Sequence, residues 1–218
     1  MTAVRFNLGC VAYNNSADFR GMISSLEQWA PKGLNRCLLV DNSTDSEAKK
    51  LNFEMAVEAG WEYFGQSNMG FGSGVNRLVS MSHHEEVLVV LNLDVSFQET
   101  PPFYLMAEAI QRGAFSCVGT NMLDDSGIRI AGRLPGLGVR MILHDFGKDL
   151  DEGASVGSSW RDVMAWDGAV HGGCFAVRVE DFRNADGIDE ALFLYAEEFD
   201  LSVKFRRAQF VTGFLVSN

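Results

Sequence analysis

Several absences in this sequence each exclude a class of function. The four cysteines, Cys10, Cys37, Cys117 and Cys174, form no Cys-x-x-Cys pair and lie inside or beside apolar runs. That argues against a disulfide framework and reads as buried, reduced thiols of an intracellular chain. No run of Lys or Arg exceeds two residues, and 18 basic against 29 acidic residues leave a net charge of −11. Such a balance excludes a general binder of phosphate backbones, so nucleic acid is not an expected partner, and it excludes a polybasic membrane anchor. An anionic small ligand remains compatible, because backbone donors and a divalent cation reverse the sign of a pocket locally. No apolar stretch reaches the ~18 residues of a spanning helix, and no charged region followed by a long apolar core opens the chain. The expectation is a cytoplasmic protein without a transmembrane segment.

What is present suits one folded unit. The 218 residues are 47% hydrophobic, enough for a sizeable core in a single domain spanning 1–218. Apolar runs alternate with helical periodicity through the first half, the ordering that a mostly parallel α/β sheet requires. Strands are expected at Val4–Tyr13, in "RCLLVDNSTDS", in "WEYFG", in "EVLVVLNLD" and in "FSCVGT". Between them, Phe19, Met22, Ile23, Leu26 and Trp29 fall on one helical face with Ser16 as cap, and Ser46–Gly60 reads as a helix ended by glycine. Pro101-Pro102 opens a further helix through Arg112. Residues 121–166 lose this regularity and predict irregular loops or a small hairpin. A strand at "GGCFAVR", a turn at "NADGID" and a helix through "EEFDLSVKFRRA" follow.

In an open parallel sheet, ligands bind beyond the carboxyl ends of the strands. Three such ends are polar: Tyr13-Asn14-Asn15, Asp41-Asn42-Ser43 and Asn92-Leu93-Asp94. Asn92 and Asp94 stand two apart, so both side chains point to one side of an extended chain, an arrangement able to hold Mg²⁺ or Mn²⁺ by one carboxylate. "NMGFGSGVN" places Gly70, Gly72 and Gly74 in alternation, which permits close approach of backbone N–H groups to an anion or sugar. Each string also has a plain reading as turn chemistry or a flexible loop. In "DEALFLYAEEFDLSVKFRR", Leu201, Phe205 and Ala208 define a buried helical face, with Glu197 one turn before Leu201 and Glu198 beside it. First-turn acids also suit the helix dipole, and Asp200 pairs with Lys204 at i+4.

Taken in order, "VAYNN", "LLVDNSTD", "NMGFGSGVN", "VLNLDV" and "GGCFAVRVEDF…GIDEALFLYAEEFDLSVKFRRA" resemble the inverting glycosyltransferases of family 2, the rhamnosyltransferase-like members in particular. The resemblance covers most of the chain apart from residues 121–166. It implies a GT-A (Rossmann-like) central sheet flanked by helices, with 1–120 as the nucleotide-sugar-binding half and 121–218 as the acceptor-side half. It implies transfer of a sugar, rhamnose among the options, from a nucleoside diphosphate donor to a saccharide or lipid-linked saccharide, in cell-surface polysaccharide synthesis. A peripheral place at the inner face of the membrane belongs to the same reading.

Residue by residue, the resemblance puts Tyr13 and Asp41 at the base and ribose, and Asn68, Gly70 and Asn76 on the nucleotide-sugar loop. Asp94 matches the last acid of the metal motif, with Asn92 where the first stands, and Gly172 and Gly173 lie near the donor sugar. Glu198 matches the general base, as Glu rather than the usual Asp, with Glu197 as its neighbour and competitor. Members usually continue past the final strand to a metal-touching histidine, whereas this chain ends at Asn218. A truncated chain, a minimal enzyme and a degenerate member are the alternatives that follow. His171 is a candidate substitute ligand, with a hydrogen-bonding role as its plainer reading. The rival from another class is a non-catalytic sugar-nucleotide-binding or assembly module. A nucleotidyltransferase on a related fold is a weaker rival, since the basic glycine-rich loop and Lys it would carry after the first strand are missing from this sequence.

Overall fold

The computed structural model describes residues 3–84, 86–97, 99–112, 115–123, 129–131, 159–160, 163–166 and 168–215. Its first half runs β1 (Phe6–Ala12), α1 (Ser16–Trp29), β2 (Leu34–Asp41), α2 (Ser46–Glu58), β3 (Glu62–Gly65), α3 (Phe71–Ser80), β4 (Val87–Leu91), α4 (Phe103–Arg112) and β5 (Cys117–Gly119). The second half adds β6 (Met122–Leu123), β7 (Arg129–Ala131), β8 (Ser159–Trp160), β9 (Val163–Ala165), β10 (Cys174–Arg178), α5 (Val179–Asn184), α6 (Glu197–Arg207) and β11 (Thr212–Leu215).

Nine strands form one sheet in the order β3-β2-β1-β4-β10-β5-β11-β9-β8. β3, β2, β1 and β4 pair in parallel, as the alternation of strands and helices predicts. β10 enters antiparallel between β4 and β5, and β11 then runs parallel to β5. This insertion aligns Cys174 with Leu91. The amino end of β10 therefore reaches the same edge as the carboxyl ends of β1, β2 and β4.

Alternate residues of the central strands feed two cores, so both faces are covered, which explains the unbroken apolar run of β4. Val87, Val89 and Leu91 meet Phe19, Met22 and Phe103 on the α1 and α4 side. Leu88 and Val90 meet Val75, Leu78, Phe182 and Phe205 on the α3, α5 and α6 side. α3 lies close against β1 because a Cβ at Gly74 would stand 2.6 Å from Val11 Cγ1.

Some local expectations change. The cap of α1 is Asn15 rather than Ser16, and Asn15 Oδ1 accepts from Tyr13 N at 2.9 Å. Ser16 is the first helical residue. α2 does end at glycine: Gly60 has φ +72°, and Trp61 N donates back to Ala56 O at 2.8 Å. Within 121–166, β6 and β7 form an antiparallel pair, and β8 and β9 extend the edge of the large sheet. Residues 124–128, 132–158 and 161–162 of that region lie outside the described residues.

Candidate functional site

The strand order reverses between β1 and β4, and the polar strand ends gather at that reversal. This is where an open α/β sheet leaves a crevice for ligand. Asn14, in the left-handed region at φ +54°, knits the first two ends together. Its Oδ1 accepts from Thr44 N and Asp45 N at 3.0 Å each, and its own N–H donates to Ser43 Oγ at 2.9 Å. Tyr13 stands beside it, half exposed.

Asp41 is fully buried. Its carboxylate accepts from Ser43 N at 2.8 Å and from Asn52 Nδ2 and Tyr63 Oη at 3.1 Å each. Burial, with the Asp41 charge adding to it, pushes the Tyr63 hydroxyl pKa up. These bonds fix the turn that carries Asn42 and Ser43. Asn42 in turn donates from Nδ2 to Gly70 O at 2.9 Å, and so attaches the glycine-rich loop to β2.

That loop divides into two roles. Asn68 Oδ1 accepts from Gly70 N at 3.1 Å, and Gly70 has φ +91°. A Cβ there would overlap the carbonyl of Phe193, so only glycine fits on both grounds. Gly72 and Gly74 instead lie within α3 and serve packing, with Ile188 Cγ2 only 2.5 Å from a Cβ at Gly72. Asn76 faces the same way. Its amide exchanges two bonds with the Ile188 backbone, at 2.9 and 3.0 Å, and donates to Glu190 Oε1 at 3.1 Å. It clamps the turn before α6.

After β4, Asn92 N donates to Gly173 O at 2.9 Å, and Asp94 is exposed on the turn that follows. Gly172 N donates to Glu198 Oε1 at 2.8 Å. A Cβ at Gly172 would approach that oxygen to 2.5 Å. The two glycines are thus a bridge from the β4 turn to the first turn of α6. His171 Nδ1 accepts from Gly173 N at 3.0 Å, the hydrogen-bonding role rather than a ligand position for that nitrogen.

α6 presents Glu197, Glu198 and Asp200 in its first turn. Glu197 is buried, at 3% exposure, and among the described residues its Oε1 has no hydrogen-bond partner. Burial raises its pKa first and the Glu198 charge adds to this, while the N–H groups of Glu197 and Tyr195 oppose it. Asp200 is engaged by Lys204 at 2.8 Å and by Asp189 N at 2.8 Å. Among the described residues, no three His, Cys, Asp or Glu side chains form a ready cage for a metal. A single exposed carboxylate suits Mg²⁺ or Mn²⁺ nonetheless, since these ions keep waters and take ligand phosphates.

Sequence reasoning passed over Phe193, Leu194 and Tyr195. All three are exposed, and Tyr195 and Ala196 adopt φ +71° and +72° directly before α6. The signal available was an apolar run, "LFLY", flanked on both sides by acids.

No family model and no curated protein matches the sequence. Solved structures do match the fold. A mannosyltransferase from Pyrobaculum calidifontis, in complex with GDP-Man and Mn²⁺, superposes with TM-score 0.63 at 11% identity, over 100% of this chain and 58% of that one. Staphylococcus aureus TarS residues 1–349, in complex with UDP-GlcNAc, gives 0.60 at 14% identity over 98% and 56%. The longer TarS chain gives 0.59 over 98% and 35%. The chain therefore has the GT-A glycosyltransferase fold and spans little more than half the length of these neighbours, or less. Among the described residues, no helix is long and apolar enough to cross a membrane.

Proposed function

We propose that this chain is the donor-binding and catalytic unit of an inverting, family 2 type glycosyltransferase. It moves a sugar from a nucleoside diphosphate sugar to a hydroxyl of a saccharide or lipid-linked saccharide in cell-surface polysaccharide synthesis. The observation that carries the proposal is the Gly172 N–H on Glu198 Oε1, which holds a carboxylate across the bridge from the β4 turn at the sheet's reversal. The GT-A neighbours that bind GDP-Man and UDP-GlcNAc support the nucleotide-sugar half of the reading. Rhamnose, as the sugar, rests on the motif order alone.

Glu198 is the general base. One oxygen is held by the Gly172 N–H and the other receives the acceptor proton. The acceptor oxygen bonds to the anomeric carbon as the bond from that carbon to the diphosphate oxygen breaks, from the opposite face. Tyr13, Asn68, Gly70 and Asn92 line the donor's place, with Gly172 and Gly173 near its sugar. Asp94 would hold a divalent cation, which when bound supplies charge stabilisation for the leaving diphosphate.

Calorimetric titration with UDP, dTDP and GDP sugars, each with and without Mn²⁺, tests the proposal. Binding of one nucleotide class, strengthened by the cation, is the expected result. No binding of any would overturn it.

A further inference from the structure

Phe193, Leu194 and Tyr195 are 54%, 55% and 79% exposed, a consecutive apolar run in which each residue is left to solvent. Exposed apolar surface of this kind marks a contact for a ligand or partner. The backbone beneath it is held firmly. Ala191 N donates to Asp189 Oδ1 at 2.9 Å, Leu192 N to Asp189 O at 3.0 Å, and Asp189 N to Asp200 Oδ2 at 2.8 Å. Phe71 N donates to Phe193 O at 3.2 Å, where Gly70 leaves room for the carbonyl. Two successive non-glycine residues, Tyr195 and Ala196, are kept at positive φ just past the run. Strain of about 1–3 kcal/mol per residue persists only where the surroundings enforce it, and it clusters at functional sites.

We propose that Phe193 and Tyr195, in the segment that leads directly into the α6 turn carrying Glu198, form a stacking platform for the sugar ring of the acceptor. The proposal rests on the glycosyltransferase reading. Aromatic faces carry negative partial charge and attract the C–H face of a pyranose, at a small cost in conformational entropy. The exposed Asp189 and Glu190 on the same segment supply carboxylate oxygens that accept sugar hydroxyls. The acidic flank and the net charge of −11 oppose an anionic bilayer as the occupant and are compatible with a neutral polyhydroxyl ligand. Because the Phe193 carbonyl is bonded to the first turn of α3, the donor loop sets where the acceptor ring rests.

The test is saturation-transfer NMR on the full chain with methyl α-L-rhamnoside, methyl α-D-mannoside and methyl β-D-glucoside, in the presence of nucleoside diphosphate and Mn²⁺. Wild type, Phe193→Ala, Tyr195→Ala and Tyr195→Trp are compared, with nucleotide affinity measured by calorimetry in parallel. Transfer to ring C–H protons of at least one glycoside is expected. It should fall at least fivefold in both alanine variants and persist in Tyr195→Trp, with nucleotide affinity within twofold of wild type. Equal transfer in wild type and alanine variants overturns the platform. So does the absence of any transfer in a wild type that binds nucleotide, which leaves the glycosyltransferase reading in place. Sedimentation of wild type, but not Tyr195→Ala, with phosphatidylcholine vesicles, and no Tyr195-dependent glycoside signal, also overturns it in favour of a lipid contact. Tyr195-dependent glycoside binding in a wild type that binds no nucleotide keeps the saccharide platform and sinks the glycosyltransferase reading instead.

Discussion

The N–H of Gly172 and the carboxylate of Glu198 meet at 2.8 Å, although 26 residues separate them in the chain. The bond orients an acid at the mouth of the sheet reversal, and it exists only because residue 172 has no side chain. Glu198→Gln preserves the shape and the acceptor oxygen but removes the ionisable carboxyl proposed as the base. Turnover is expected to fall roughly a hundredfold or more, as for general-base removal, with donor affinity nearly intact. Gly172→Ala should reproduce the loss by displacing the carboxylate. Steady-state rates set beside calorimetric donor affinities check both, and a fully active Glu198→Gln enzyme would transfer the role to Glu197.

Asp94→Ala should abolish the strengthening of nucleoside diphosphate binding by Mn²⁺ and leave metal-free binding unchanged. Its exposure predicts little change in thermal stability, within about 0.5 kcal/mol. Calorimetry with and without the cation decides this, and a Mn²⁺ effect that survives the substitution removes Asp94 from the metal site.

Asp41→Ala is expected to act on folding before it acts on binding. The substitution removes the acceptor of the buried Ser43 N and Asn52 Nδ2 and of the part-buried Tyr63 Oη. A loss of about 1–3 kcal/mol follows for each buried donor left without its acceptor. Tyr63→Phe removes one donor and should cost about 1 kcal/mol. Urea denaturation of the two variants measures the difference, and an Asp41→Ala protein as stable as wild type contradicts the supporting role.

The parallel half of the fold was legible because its signals are local. β4 is a continuous apolar run, β1 and β2 are mostly apolar toward their carboxyl ends, polar residues close or follow all three, and α1 carries its apolar face at helical spacing. The insertion of β10 was not, since its pairing of Cys174 with Leu91 depends on residues 83 positions apart. The site shows the same division. The positions of Asn92, Asp94 and Glu198 follow from where strands end and α6 begins. By contrast, the Asn76 clamp on Ile188, 112 residues away, looks like any polar residue in a glycine-rich string. The positive φ of Tyr195 and Ala196 has no local signature, because neither residue type favours it.

The cysteines should be chemically silent in the native state. Cys10, Cys117 and Cys174 are buried and Cys37 is partly so. Burial raises the pKa of all four, with Cys37 and Cys174 pushed up to about 12. The thiolate fraction at pH 8 is then roughly one in ten thousand for those two. An aromatic disulfide reagent should titrate four thiols only after unfolding, with Cys37 first to react as the protein loosens. Rapid native labelling of any buried cysteine would contradict this packing.

Glu197 should make stability depend on pH in the direction opposite to a salt-bridged acid. Its folded pKa is raised above the ordinary carboxylate value of 4.5, chiefly by burial. Above 4.5 the unfolded chain releases its proton first, so the native state binds more protons and stability falls as pH rises toward the folded pKa. Below 4.5 both states are protonated and the penalty vanishes. Glu197→Gln removes the charge while keeping the side-chain volume. It should therefore be more stable than wild type at pH 7. The two proteins should converge near pH 4. Thermal denaturation of both from pH 4 to 8 measures the divergence. A Glu197→Gln protein less stable than wild type at pH 7, with the gap narrowing in acid, would mean that the buried carboxylate is held by a cationic or hydrogen-bonding partner in place of being left short of one.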